Sequence, residues 1–245
     1  NDDNFEILKE ALQATSFVKG EKYRRVLKQS LNQVDLNKQI FSFIGHSRLV
    51  TNGAQSNNKN NQPLITKNQI GIHNGIITNS SELWKINKKL KKETELDTEI
   101  LFKLIDKNNS NNDLEKSLKD TFAEIEGTAS IASFLRNHPN LILATNTGSI
   151  YFHFSKKKST FIFASERFIL DKILRNKYKN IFFESDDIDQ LEAFQAINLD
   201  LGLKYFSKIS LFSDEKENIN QISLPFIKKR KVIDHSSNLF NLKRC

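Results

Sequence analysis

At Gly127 the spacing of apolar residues changes period, and this change constrains the fold more than any other feature of the 245-residue chain. Upstream, apolar side chains recur at helical intervals: Phe5, Leu8 and Leu12, then Val26, Leu27 and Leu31 beyond Gly20, and later Ile100, Leu101, Leu104 and Ile105. Residues three and four apart share a helix face, so 5–33 reads as two helices or one broken helix, and Asp97 or Thr98 begins another. Ser80 or Ser81 is placed to cap a helix over 82–90, and a third covers 114–125 beyond a polar separator at 108–113. Downstream of Gly127 come short β-rich runs at 128–135, 141–145, 150–154 and 160–164, separated by Asn-His-Pro-Asn, Asn-Thr-Gly and Ser-Lys-Lys-Lys. Links this short join antiparallel neighbours, because a parallel crossover needs a dozen or more residues. An antiparallel meander is expected there, then a helix at 166–174 and strands at 193–199, 203–209 and 222–226.

Two earlier segments add strands. Residues 39–45 alternate and are rich in aromatic and β-branched side chains, which predicts a buried strand running into 46–50. Residues 70–73 predict a second, stopping at Asn74-Gly75, a pair favoured in tight turns that need positive φ. The stretch 52–61 is nearly all polar and reads as a loop. Strands, then helices, then hairpin-linked strands exclude a parallel doubly wound sheet and point to an α+β domain, with two mainly antiparallel sheets covered by helices.

Several function classes drop out. The formal charge of +8 could serve nucleic acid, but the lysine runs at 88–92, 156–158 and 228–231 are short, far apart and not interleaved with aromatic or glycine-rich patterns. They read as solvated faces, and no nucleic-acid partner is expected. No apolar run approaches the roughly 18 residues of a membrane span, so no membrane partner is expected either. The single cysteine, Cys245, excludes a disulfide framework and suits a reducing compartment, the cytoplasm. His46 and His73, at strand ends, read as satisfied structural residues rather than bases, His138, His153 and His235 lack metal-ligand spacing, and no glycine-rich phosphate loop is present. The opening Asn1 and the closing Lys-Arg-Cys read as the ends of an excised piece, with 1–227 as the domain and 228–245 as a basic linker.

Three polar segments remain: Gly45-His-Ser-Arg48-Leu-Val-Thr51-Asn52-Gly53, His73-Asn74-Gly75-Ile-Ile-Thr-Asn79 and Leu96-Asp97-Thr98-Glu99. Singly, each has a plain structural reading as an ion-pair partner, a turn or a helix cap. In this order they resemble the class II glutamine amidotransferases, the N-terminal-nucleophile glutaminase domains, which carry Gly-His-x-Arg-x-x-Thr, His-Asn-Gly-x-Ile-x-Asn and Ser-Asp-Thr-Glu. The likeness extends to Gln62-Pro63, Glu82-Leu83, Glu126-Gly127 and Ala164-Ser165-Glu166, and so covers about 40–170.

The resemblance implies a four-layer αββα sandwich that hydrolyses glutamine to glutamate and ammonia through a cysteinyl thioester, with no cofactor. Arg48 then takes the substrate's α-carboxylate, Asp97 its α-ammonium, Thr51 and Asn52 line the pocket, and Asn74 with Gly75 forms the oxyanion hole. A planar guanidinium fork suits a carboxylate in a way an ammonium does not. Asn52 stands where some relatives have His, and Leu49 where others have Trp. The family's nucleophile is a cysteine at the mature amino terminus with its own α-amine as base, expected upstream of Asn1. The implied partners are glutamine and an attached or associated synthase, amino-sugar or asparagine-synthetase-like, that receives the ammonia. A catalytically inactive glutamine-binding or regulatory module of the same fold is the alternative.

Overall fold

The computed structural model describes residues 5–34, 40–47, 57–109, 112–136, 138–155, 159–175, 187–202 and 205–212. Helices α1 (Ala14–Lys19) and α2 (Glu21–Asn32) are separated at Gly20, as the apolar spacing predicts, whereas the residues before Gln13 are not helical. Strands β1 (Leu64–Ile65) and β2 (Gln69–Ile77) precede helices α3 (Ser80–Ile86), α4 (Asp97–Asn108) and α5 (Leu114–Glu124). Then come β3 (Gly127–Leu135), β4 (Asn140–Thr145), β5 (Tyr151–Ser155), β6 (Thr160–Ala164), α6 (Arg167–Leu174), β7 (Asp189–Gln190), β8 (Gln195–Asp200) and β9 (Tyr205–Ser210).

Every strand pair is antiparallel. One sheet has the order β1-β2-β3-β4-β8-β9 and the other β6-β5-β7. Strand alternation sorts their side chains into three apolar layers. On one face of the larger sheet, Ile77, Ile131, Ile142, Ala144 and Ala196 pack against Ile100, Leu101, Leu104, Leu118 and Phe122 of α4 and α5. Its other face presents Ile72, Ala132, Leu143 and Ile197 to Ile150, Phe152 and Leu191 of the smaller sheet's side. Strand β6 divides its residues in turn: Phe161 and Phe163 join this middle layer, and Ile162 and Ala164 meet Leu170 and Leu174 of α6. The result is the expected α+β sandwich, helices, sheet, sheet, helix.

Four expectations need correction. Residues 40–47 form no strand, and Ile40 and Phe43 are 41% and 60% exposed. Alternation yields a strand only where a neighbouring backbone takes up its N–H and C=O groups, and no ladder reaches this segment. Asn74-Gly75 is not a turn; β2 runs through it to Ile77, because β3 stays in register with it as far as Gly127. The meander is split between sheets: β3 pairs with β4 and β5 with β6, while the second edge of β4 goes to β8. The helix predicted over 82–90 begins after Asn79 and ends at Ile86, since Asn87 folds its side-chain Nδ2 onto Leu83 O at 2.9 Å and closes the last turn. The strand at 222–226 and the linker at 228–245 lie outside the described residues.

Phe102 on α4 is fully buried against the larger sheet. Phe102→Ala should lower unfolding free energy by about 3–5 kcal/mol, the sum of lost transfer energy and a cavity, measured by urea denaturation.

Candidate active site

Strand β1 covers β2 only as far as Gly71, and beyond that point side chains complete the open edge. The Gln62 carboxamide acts as a substitute peptide: His73 N donates to its Oε1 at 2.5 Å, and its Nε2 donates to His73 O at 2.8 Å. Two residues further on, Ile77 N donates to Asp97 Oδ2 at 2.7 Å. An antiparallel strand sends alternate peptides to opposite edges, so Gly75 lies on this same edge, between the Gln62 clasp and the Asp97 carboxylate. Its φ of +146° is one that L side chains rarely adopt, and a Cβ there would stand 2.0 Å from Thr128 O and 2.9 Å from His73 Nε2. Only glycine fits.

Asp97, Thr98 and Glu99 open α4 and each holds a different piece of the site. Asp97, 9% exposed, takes Ile77 N through one oxygen and Thr98 N through the other, at 3.0 Å. The Thr98 hydroxyl lies 3.0 Å from His73 Nδ1, and His73 Nε2 lies 3.3 Å from Thr128 O. A carbonyl can only accept, so Nε2 carries the proton and Nδ1 accepts from Thr98; the ring is a neutral bridge between β2, α4 and β3. Burial holds the His73 pKa below its usual value, with partial opposition from the Asp97 charge and the Thr128 carbonyl. The Glu99 carboxylate accepts from Glu93 N, Thr94 N and the Thr94 hydroxyl, and pairs with Lys103 at 2.8 Å. Asn79, the last residue of the second motif, ties down the start of β3: its Nδ2 donates to Glu124 O, and its Oδ1 accepts from Glu126 N.

The Asn74 side chain points the other way, to the face between the sheets. It is exposed and hydrogen-bonds none of the described residues. Across the larger sheet it is aligned with Ser130, Thr145, Gln195 and Ser210, a polar row next to the apolar row of Ile72, Ala132, Leu143 and Ile197. The polar row therefore marks a rim of the inter-sheet layer. Sequence reading alone did not single out Ser130 or Thr145, and read Thr98 only as a helix start within the third motif; the alternating hydroxyls of Thr145, Thr147 and Ser149 were the available signal.

Of the residues expected at the site, Asn74, Gly75 and Asp97 meet at one end of β2, and Arg48, Thr51 and Asn52 lie outside the described residues. A cavity of about 530 Å³ is lined by α2 and by Ile44, Gln62, Pro63 and Phe134; it touches the Gln62 clasp but not Asn74, Gly75 or Asp97. Among the described residues no group of three or more His, Cys, Asp or Glu is placed to hold a metal ion, and no helix is long and apolar enough to cross a membrane.

A family model described as a glutamine amidotransferase domain matches residues 46–172. The chain is 32% identical over 171 residues to a glutamine–fructose-6-phosphate aminotransferase (isomerizing) of Buchnera aphidicola subsp. Baizongia pistaciae, covering 66% of this chain and 27% of that protein. It is 29% identical over 203 residues to the same enzyme of Buchnera aphidicola subsp. Acyrthosiphon pisum, covering 79% and 31%. The chain thus spans less than a third of the length of these relatives. In fold it is similar to the glutamine phosphoribosylpyrophosphate amidotransferase of B. subtilis, with a TM-score of 0.52 and 17% identity over 69% of this chain and 34% of that one.

Two outcomes follow from the geometry. Gly75→Ala should cost about 1–3 kcal/mol from backbone conformation alone, before its clash with Thr128 is counted, measured by chemical denaturation. The unfolded imidazole titrates near 6.5. Because burial lowers the folded value, the unfolded chain holds the extra proton between the two, so stability should fall as pH drops below about 6.5 and level off beneath the folded pKa. Thermal unfolding from pH 7.5 to 5 should show this slope, and His73→Gln should flatten it.

Proposed function

The chain belongs to the class II glutamine amidotransferase domains, whose family model matches more than half of it, and on that premise we propose that it hydrolyses glutamine to glutamate and ammonia and delivers the ammonia to a synthase. The observation that carries this reading is the open edge of β2, where an obligatory glycine peptide lies between two side-chain clasps and beside the unengaged carboxamide of Asn74. Attack on a carboxamide turns its carbonyl oxygen into an oxyanion, and fixed donors at that position lower the barrier because they need no reorganisation as the charge appears. The Gly75 N–H and the Asn74 Nδ2 are such donors. His73, neutral and doubly hydrogen-bonded, is a strut rather than a base.

At the substrate's other end, Asp97 receives the α-ammonium. Its two oxygens offer about four acceptor positions, of which the N–H groups of Ile77 and Thr98 occupy two. Arg48 takes the α-carboxylate as a planar fork, and Thr51 and Asn52 line the pocket beside it; these three assignments rest on the family resemblance. The nucleophile is a cysteine thiol upstream of Asn1. Its α-amine takes the thiol proton as sulfur attacks, and returns that proton to the departing nitrogen as the tetrahedral intermediate collapses to a thioester and ammonia. Water then hydrolyses the thioester to glutamate and frees the thiol. The relatives named glutamine–fructose-6-phosphate aminotransferase favour an amino-sugar-forming synthase as the ammonia acceptor.

Mass spectrometry of the amino terminus of the full native protein tests the premise: a mature Cys followed by Gly is expected, and any other residue there leaves a non-catalytic glutamine-binding module. In the full protein, Asn74→Ala should lower kcat for glutaminase turnover by about 100-fold or more with little change in KM, the scale of one lost oxyanion donor. Arg48→Lys and Asp97→Asn should instead raise KM for glutamine about tenfold or more. Equal effects of all three on binding alone would overturn these roles.

A further inference from the structure

Thr145 Oγ1, at the end of β4, accepts from Thr147 N and from Gly148 N, both at 3.1 Å. A hydroxyl has two lone pairs and one proton, so the two peptide donors fill its acceptor capacity and leave only the proton to give. Ser130 Oγ is the nearest receiver, at 2.7 Å, with Thr147 Oγ1 at 3.3 Å. Ser130 is thereby made the acceptor of this pair, and its own proton has to go elsewhere. Thr147 Oγ1, which gives its own proton to Ser149 Oγ at 2.9 Å, has lone pairs to accept the Ser130 proton but lies 3.5 Å from Ser130, the outer limit of a hydrogen bond. A better-placed acceptor is Asn74, directly opposite Ser130 in the β2–β3 register and on the same sheet face, where facing side chains stand about 5 Å apart at Cβ.

We propose that Ser130 is a positioning residue, which donates to Asn74 Oδ1 and so turns Asn74 Nδ2 toward the reacting carbonyl. No hydrogen bond to the described residues opposes a rotation of the Asn74 side chain toward Ser130. The polarity of the chain fixes the direction: peptide N–H groups of residues 147 and 148 to Thr145, Thr145 to Ser130, Ser130 to Asn74. A carboxamide whose oxygen is committed to a donor presents its NH₂ on the opposite side. Without that donor, the two ends of the amide can exchange places, and half of the orientations put an oxygen lone pair against a developing negative charge. Ser130 is 6% exposed, so water competes poorly for its proton. The proposal rests on Asn74 being an oxyanion donor, and its test separates the two claims.

The first measurement is the side-chain NH₂ resonance pair of Asn74 in the ¹⁵N-labelled chain, identified by its loss in Asn74→Ala. Ser130→Ala should shift this pair and lower its order parameter, and Ser130→Thr should restore both. Ser130→Cys, which keeps the shape with a weaker donor, gives an intermediate shift and serves if the alanine variant does not fold. In the full protein Ser130→Ala should lower kcat for glutamine hydrolysis about 5–10-fold, with KM within twofold, the scale of one hydrogen bond. If Asn74→Ala slows hydrolysis while the resonance and kcat ignore Ser130→Ala, this inference is overturned and the oxyanion reading stands. If the resonance follows Ser130 while hydrolysis ignores Asn74→Ala, the hydrogen bond stands and the oxyanion reading falls.

Discussion

The site depends on the first turn of α4 being fastened to the open end of β2. A sheet edge that projects past its last neighbour leaves peptide groups unpaired, and each buried unpaired group costs about 1–3 kcal/mol. Here Gln62 and Asp97 replace the missing strand at His73 and Ile77, and Thr98 reaches the same strand through the His73 ring. The peptide left between them, that of Gly75, is held on both sides, and no strand among the described residues pairs with that edge of it. A donor that must meet a transient charge needs this combination of rigidity and access.

The arrangement keeps charge in places where charge is costly. Asp97 and Glu99 are nearly buried, at 9% and 3% exposure, and both are satisfied by peptide N–H donors. Glu99 also faces Lys103, which lies over the Trp84 ring at 5.9 Å. Removing one partner of such a pair strands the other in a poor solvent, at about 3–5 kcal/mol. Asp106, lower on α4, is a further case: burial raises its pKa, although Gln69 Nε2 and Asn68 N donate to its carboxylate. Thus α4 packs its apolar face on the sheet and uses acidic side chains on its flank to hold the loops and strand ends around it.

The middle layer explains why the polar row can exist. Below it, Phe152, Phe154, Phe161 and Phe206 pack ring to ring, with centroids 5.3–6.3 Å apart, and fill the space between the sheets. Above it, the hydroxyls of Ser130, Thr145, Thr147 and Ser149 hydrogen-bond one another and the turn after β4, so a rim of polar groups borders the apolar layer. In that row Asn74 carries an amide that hydrogen-bonds none of the described residues.

Local sequence determined the helical and strand periods, the break at Gly20, the antiparallel links after Gly127, and the three motifs, because period and turn chemistry are set by residues within a few positions of one another. It also pointed to Asn74, Gly75 and Asp97 through a family resemblance whose residues stand in order along the chain. What it could not decide was pairing. Residues 40–47 have the alternation of a strand and no neighbour among the described residues; Asn74-Gly75 has the composition of a turn and continues as strand because Ser130 and Ala129 lie beside it; the meander splits because β8 takes the edge of β4. The Gln62 clasp, the neutral His73 and the Ser130–Thr145 hydrogen bond each depend on atoms brought together from residues 11 to 55 positions apart. Tertiary structure alone decided them, since a hydrogen bond is fixed by distance and direction in space and leaves no period in the sequence.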